Sequence, residues 1–140
     1  MRYKKLGNKY VLRLKSGENI LDTLKEFLKE AGIKAGYFTG IGAAADPKLG
    51  YFNEETKGYD EKSFFGEYEI LTLNGNISLF EGEVFIHAHV VLGDKDFKSF
   101  GGHLIDSNVG ATCEIIIIPL EGELIRDKDR EFGLKLLDLG

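Results

Sequence analysis

His87, His89 and His103 are the only histidines of this chain, and they fall within one short stretch of it. His87 and His89 stand two apart in Phe85–Leu92, a run that reads as a β-strand, so their side chains leave the same face. His103 follows Gly101-Gly102, where the backbone can approach a neighbouring element without a Cβ in the way. Two imidazoles from one strand and a third from its neighbour build three corners of a metal site. The plainer reading is that each histidine is satisfied separately by a backbone or carboxylate hydrogen bond. Their clustering, with no other histidine in the chain, favours the metal.

A fourth ligand is open. Glu114 lies in a strand otherwise built from Cys113 and Ile115–Ile118, where an acid needs a reason. It could bind the metal, accept a hydrogen bond from a ligating imidazole, or turn to solvent. Water in an open fourth position would suit catalysis, whereas a closed fourth position would be structural.

These residues need elements to position them. Tyr10–Leu14 reads as an opening strand, and Ser16-Gly17-Glu18-Asn19 offers capping side chains for a helix start. Ile20, Leu24, Phe27, Leu28 and Ala31 follow at helical spacing, with Gly32 as the stop. From Lys34 onward the pattern is mostly β. Ala35–Ala45 carries Gly36, Gly40 and Gly42, which read as close packing or a bulge, and ends at the turn signal Asp46-Pro47. Asn53–Lys62 reads as a surface loop. Asn74-Gly75, between Phe64–Leu73 and Ile77–Phe80, predicts a tight hairpin. Glu83–Leu92, Ser99–Ile105 and Val109–Leu120 read as strands, the last two parted by Asp106-Ser107-Asn108. Asp127–Arg130 reads as a solvated loop and Leu134–Leu137 as a last short strand. The expected class is α+β: a mainly antiparallel sheet with one principal helix packed on it, in a single domain over residues 1–140.

Composition narrows the function classes. The 140 residues are 43% hydrophobic and 29% charged, as in an ordinary globular protein. The aliphatic run Ile115–Ile118 is too short to cross a bilayer, and the start Met1-Arg-Tyr-Lys-Lys does not resemble a secretory signal. Cys113 is the sole cysteine, so no intramolecular disulfide can form and a cytoplasmic location is expected. Its apolar strand suggests a buried structural thiol. A net charge of −5 works against loose, salt-driven binding to nucleic acid.

Several segments taken in order carry a family likeness. Gly66-Glu-Tyr-Glu-Ile-Leu-Thr-Leu-Asn-Gly-Asn-Ile, His87-Ala-His89, Leu92-Gly93-Asp94, Gly101-Gly-His103-Leu and Cys113-Glu114-Ile115 together resemble the plants-and-prokaryotes-conserved (PPC) domain. The likeness extends upstream through Leu14–Gly17, the helix and Tyr37–Gly42. It implies an α+β fold assembling as a homotrimer. It also implies a metal site, with zinc as the expected ion, at positions matching His87, His89 and His103. Members of this family are described as candidate DNA-binding proteins. In plant members, DNA contact is attributed to an Arg-Gly-Arg-Pro type AT-hook, which this chain lacks. Phe52, Phe64, Phe65 and Phe80, which no second helix is expected to cover, fit either a subunit interface or packing within one subunit.

Three functions follow as expectations. The first is a trimeric metal-binding module of binding or regulatory type, with DNA as one partner. The second is a zinc-dependent enzyme, hydrolase or lyase, acting on a small molecule, with Glu114 as orienter or base. The third is a metal that only staples the trimer.

Overall fold

The computed structural model describes residues 1–140. Its strands are β1 (Arg2–Leu6), β2 (Lys9–Lys15), β3 (Gly36–Asn53), β4 (Gly58–Ser63), β5 (Glu67–Phe80), β6 (Glu83–Gly93), β7 (Ser99–Pro119), β8 (Ile125–Lys128) and β9 (Lys135–Asp138). The single helix, α1, spans Ile20–Glu30. All nine strands join one sheet in the order β1-β2-β7-β3-β5-β8-β9, with β4 beside β3 and β6 between β5 and β7. Every pairing is antiparallel except the short parallel contact of β8 with β5. Both β3 and β6 pair with β5 and with β7, so these four strands close a ring of pairings. The fold is the expected α+β class.

The helix forms where its pattern and caps require it. Asn19 caps the start, its Oδ1 accepting the Asp22 amide at 3.0 Å. Gly32 ends it in the left-handed region at φ 67°. At 11 residues, α1 is too short to be stable alone. Ile20, Leu24, Phe27 and Leu28 are all buried against the sheet, and each contributes about 1.5–3 kcal/mol of apolar burial. Alternation on β6 does the rest: Val84, Ala88, Val90 and Leu92 face the helix-side core, which sends Phe85, His87, His89 and Val91 to the opposite face.

The strands run longer than their polar residues suggest. Asn74-Gly75 is not a hairpin, because β5 passes straight through it. Glycine is required there for another reason: a Cβ at 75 would collide with the Phe38 ring and the His87 carbonyl. The real connection is Glu81-Gly82, with both residues at positive φ. Asp46-Pro47 is a bulge inside β3 rather than its end, and a second bulge falls between Gly40 and Gly42 as the glycines suggested. The Asp46 bulge is tied to Gly66, whose amide donates to Asp46 Oδ1 at 2.7 Å. Asn53–Lys62 is largely strand, the end of β3 pairing with β4. Asp106-Ser107-Asn108 lies within a continuous β7, where Ser107 is buried and donates to backbone carbonyls. Part of Asp127–Arg130 belongs to β8, which pairs with β9. Phe52, Phe64 and Phe80 pack on Tyr59, Phe100 and Phe85, at ring distances of 5.6, 4.5 and 6.4 Å. Phe65 is 84% exposed.

Candidate metal centre

Strand register brings the three histidines together. His89 of β6 stands opposite His103 of β7 and opposite Asn74 of β5, while His87 stands opposite Asn76. The close approach of β6 and β7 depends on Gly101, where a Cβ would meet the Val90 carbonyl. The ring centroids are 5.0, 5.2 and 5.4 Å apart, and one nitrogen of each ring lies within 4.8 Å of the others. The Nε2 atoms of His87 and His89 are 3.2 Å apart. A tetrahedral zinc with Zn–N bonds of about 2.0–2.1 Å spans an N···N edge of about 3.3 Å, so the His87–His89 edge fits.

Electrostatics favour the neutral, ligating form. Burial lowers the His103 pKa from 6.5 to about 4, with His87 and His89 adding to the effect. Burial also lowers that of His87, reinforced by His89 and by Arg126. His103 Nδ1 is buried without a hydrogen-bond partner. Such an orphan costs free energy, and a metal bond is one way to satisfy an imidazole nitrogen. The Tyr59 ring covers the His103 ring at a centroid distance of 4.7 Å.

Glu114 is not part of this cluster. It is an exposed residue of β7, opposite Arg13 and Ile41, and the group of potential ligands contains no carboxylate. Of its three expected roles, the structure selects the turn to solvent. Cys113, on the other face of β7, is fully buried as expected. Its thiol is pushed up to about 12, mainly by burial and further by Glu114.

Sequence reasoning passed over Arg126. It is 5% exposed, and it lines a cavity of about 290 Å³ together with His87, His103 and Tyr59. Alternation in Ile125-Arg126-Asp127-Lys128 gives no signal for it, because that pattern would bury Ile125, which is exposed, and turn Arg126 outward.

Fold and site define a class: an antiparallel α+β domain with a three-histidine cluster on the sheet face away from its helix, beside a cavity. The chain belongs to the family of the Plants and Prokaryotes Conserved (PCC) domain, also written PPC, which matches residues 1–121. Solved structures agree over nearly the whole chain. A PPC protein of Pyrococcus horikoshii is 38% identical, with a TM-score of 0.87 over 98% of this chain and 94% of its own. A metal-containing protein of Archaeoglobus fulgidus is 36% identical, with a TM-score of 0.88 over 98% of each chain. A candidate DNA-binding protein of Bacteroides thetaiotaomicron is 35% identical, with a TM-score of 0.94 over 98% of this chain and 96% of its own. Among curated proteins nothing matches significantly.

Proposed function

We propose that this chain is a homotrimeric metal-binding module in which His87, His89 and His103 hold one zinc ion per subunit. The observation that carries the reading is the convergence of three imidazole nitrogens within 4.8 Å, two of them at a tetrahedral edge distance. The similar protein of Archaeoglobus fulgidus is described as metal-containing, which supports it. Imidazole donors suit zinc, as they also suit copper, iron and nickel. With no acid in the cluster, the fourth position is left to water or to a small molecule in the adjoining cavity. A zinc ion there would supply Lewis acidity toward an oxygen of that occupant. The chain's own residues do the rest: β6 and β7 fix the imidazoles, and the Tyr59 ring covers one of them.

Elemental mass spectrometry of protein purified without chelators tests the reading. About one zinc per subunit is expected, lost in His87→Ala. Protein free of metal from the outset would sink it.

The open side of the cluster favours small-molecule chemistry as a second reading, that of a zinc-dependent hydrolase or lyase. It requires that activity on such a substrate vanish in His89→Ala while the assembly persists. DNA binding enters through similar proteins described as DNA-binding candidates. The net charge of −5 argues against a general affinity for duplex. A mobility shift at moderate salt decides that point.

A further inference from the structure

Arg126 is a buried cation with no anion beside it. All the partners of its guanidinium are neutral: Nε donates to Ser78 Oγ at 2.8 Å, Nη2 to Asn76 Oδ1 at 2.7 Å, and Nη1 to the Lys135 carbonyl. Three of the five N–H groups are thereby used, leaving one on each terminal nitrogen. None of the ion pairs of the structure includes this residue. Below it lies the Phe85 ring, 5.1 Å from Cζ, and Lys135 Nζ sits 5.1 Å from the same ring. Burial pushes the Arg126 pKa down, but arginine stays charged in proteins.

Hydrogen bonds to neutral groups fix the β8–β9 hairpin in place without neutralising the charge. A buried charge left uncompensated is unfavourable. The chain carries 23 acidic residues, yet none lines the cavity of about 290 Å³ that Arg126 borders. Phe85, Leu134 and Leu136 give it apolar lining, and His87, His103 and Lys135 line it beside Arg126, so a second cation faces the same space. A space of this size takes a small molecule. The planar guanidinium matches a carboxylate, and the apolar wall matches a carbon skeleton better than a bare inorganic ion.

We propose that this cavity binds a small organic carboxylate, with the carboxylate neutralising Arg126 and the carbon chain lying against Phe85, Leu134 and Leu136. The site adjoins the proposed zinc position but does not need it, because the anion is held by the chain itself.

Calorimetric titration of propionate, 2-oxobutyrate and succinate, each against its amide and against inorganic phosphate, tests this in metal-replete and chelator-stripped protein. At least one carboxylate should bind both forms and bind about 10–100-fold tighter than its amide, the factor expected of a charge-assisted hydrogen bond. In the unmodified protein, the Arg126 Nε–H resonance should move as that ligand is added, so the test does not depend on the folding of Arg126→Gln. The variant itself, checked by circular dichroism, should lose the preference for acid over amide. Equal affinity for acid and amide, or an unmoved Arg126 resonance, overturns the proposal. Tighter binding of phosphate than of every carboxylate overturns the organic assignment. Binding confined to metal-replete protein overturns the role of Arg126 and leaves the zinc reading standing. Binding to stripped protein with no native zinc would do the reverse.

Discussion

Burial gives His103 and His87 their chemistry and makes them sensitive to acid. With His103 held at about 4 by burial, the folded metal-free protein keeps that imidazole neutral where an unfolded chain would protonate it, and the lowering of His87 by burial acts in the same direction. Between about pH 6.5 and 4 the unfolded state therefore binds more protons, so stability rises with pH. The contribution is complete above the unfolded value of 6.5 and is lost as pH falls through the window. Urea midpoints of chelator-stripped protein should drop from pH 7 to pH 5, a range that lies above most carboxylate titrations. The drop should shrink in His103→Gln, and an unchanged midpoint would contradict the burial. Cys113 sets the opposite expectation. Its thiol, fully buried and held at about 12, should resist alkylation in native protein at pH 8 and react only after unfolding.

Long bent strands, rather than single residues, hold the site together, and Gly75 shows how tightly. Phe38, itself fully buried, occupies the space that a Cβ at 75 would take, and the His87 carbonyl closes the other side. Gly75→Ala should cost about 1–3 kcal/mol, the range for overpacking a core, read as a lower denaturation midpoint. Because residue 75 pairs with Ala88, between the two histidines of β6, the same variant should also weaken metal retention. This position also shows where sequence stopped being legible. The α1 stripe and the H-x-H parity of β6 are readable because each follows a local period, and the β3 bulge because glycines mark it locally. Asn74-Gly75 reads as a hairpin, Asp46-Pro47 as a strand-ending turn and Asp106-Ser107-Asn108 as a break between strands, yet all three lie inside strands. In each case a partner distant in sequence (Phe38 for Gly75, Gly66 for Asp46, the Ala45 carbonyl for Ser107) supplies the reason for a turn-forming residue inside a strand. Arg126 escaped for a similar reason, since its burial depends on Ser78 and Asn76 of β5.

At the scale of the whole molecule, the sheet is finished on one face and open on the other. The helix and the core cover one side, while Tyr37, Ile41, Leu71, Val91 and Ile116 remain exposed, Ile41 at 58%. Apolar residues spread over β3, β5, β6 and β7 are what an assembling subunit presents, and they support self-association, of which the proposed homotrimer is one form, in place of any one exposed phenylalanine. Sedimentation should give a trimer, and Ile41→Glu, which places a charge on that face, should give folded monomers. A monomeric unmodified protein would refute the assembly. The position of the proposed metal then separates two roles for it. All three histidines come from one chain, so a metal that merely staples subunits together has no reason to be held by a single subunit. Ile41→Glu monomers should therefore keep about one zinc each, and chelation of the unmodified protein should leave the trimer intact. Zinc lost together with the assembly, in either experiment, would place the ion's function between subunits instead of in the cavity beside Arg126.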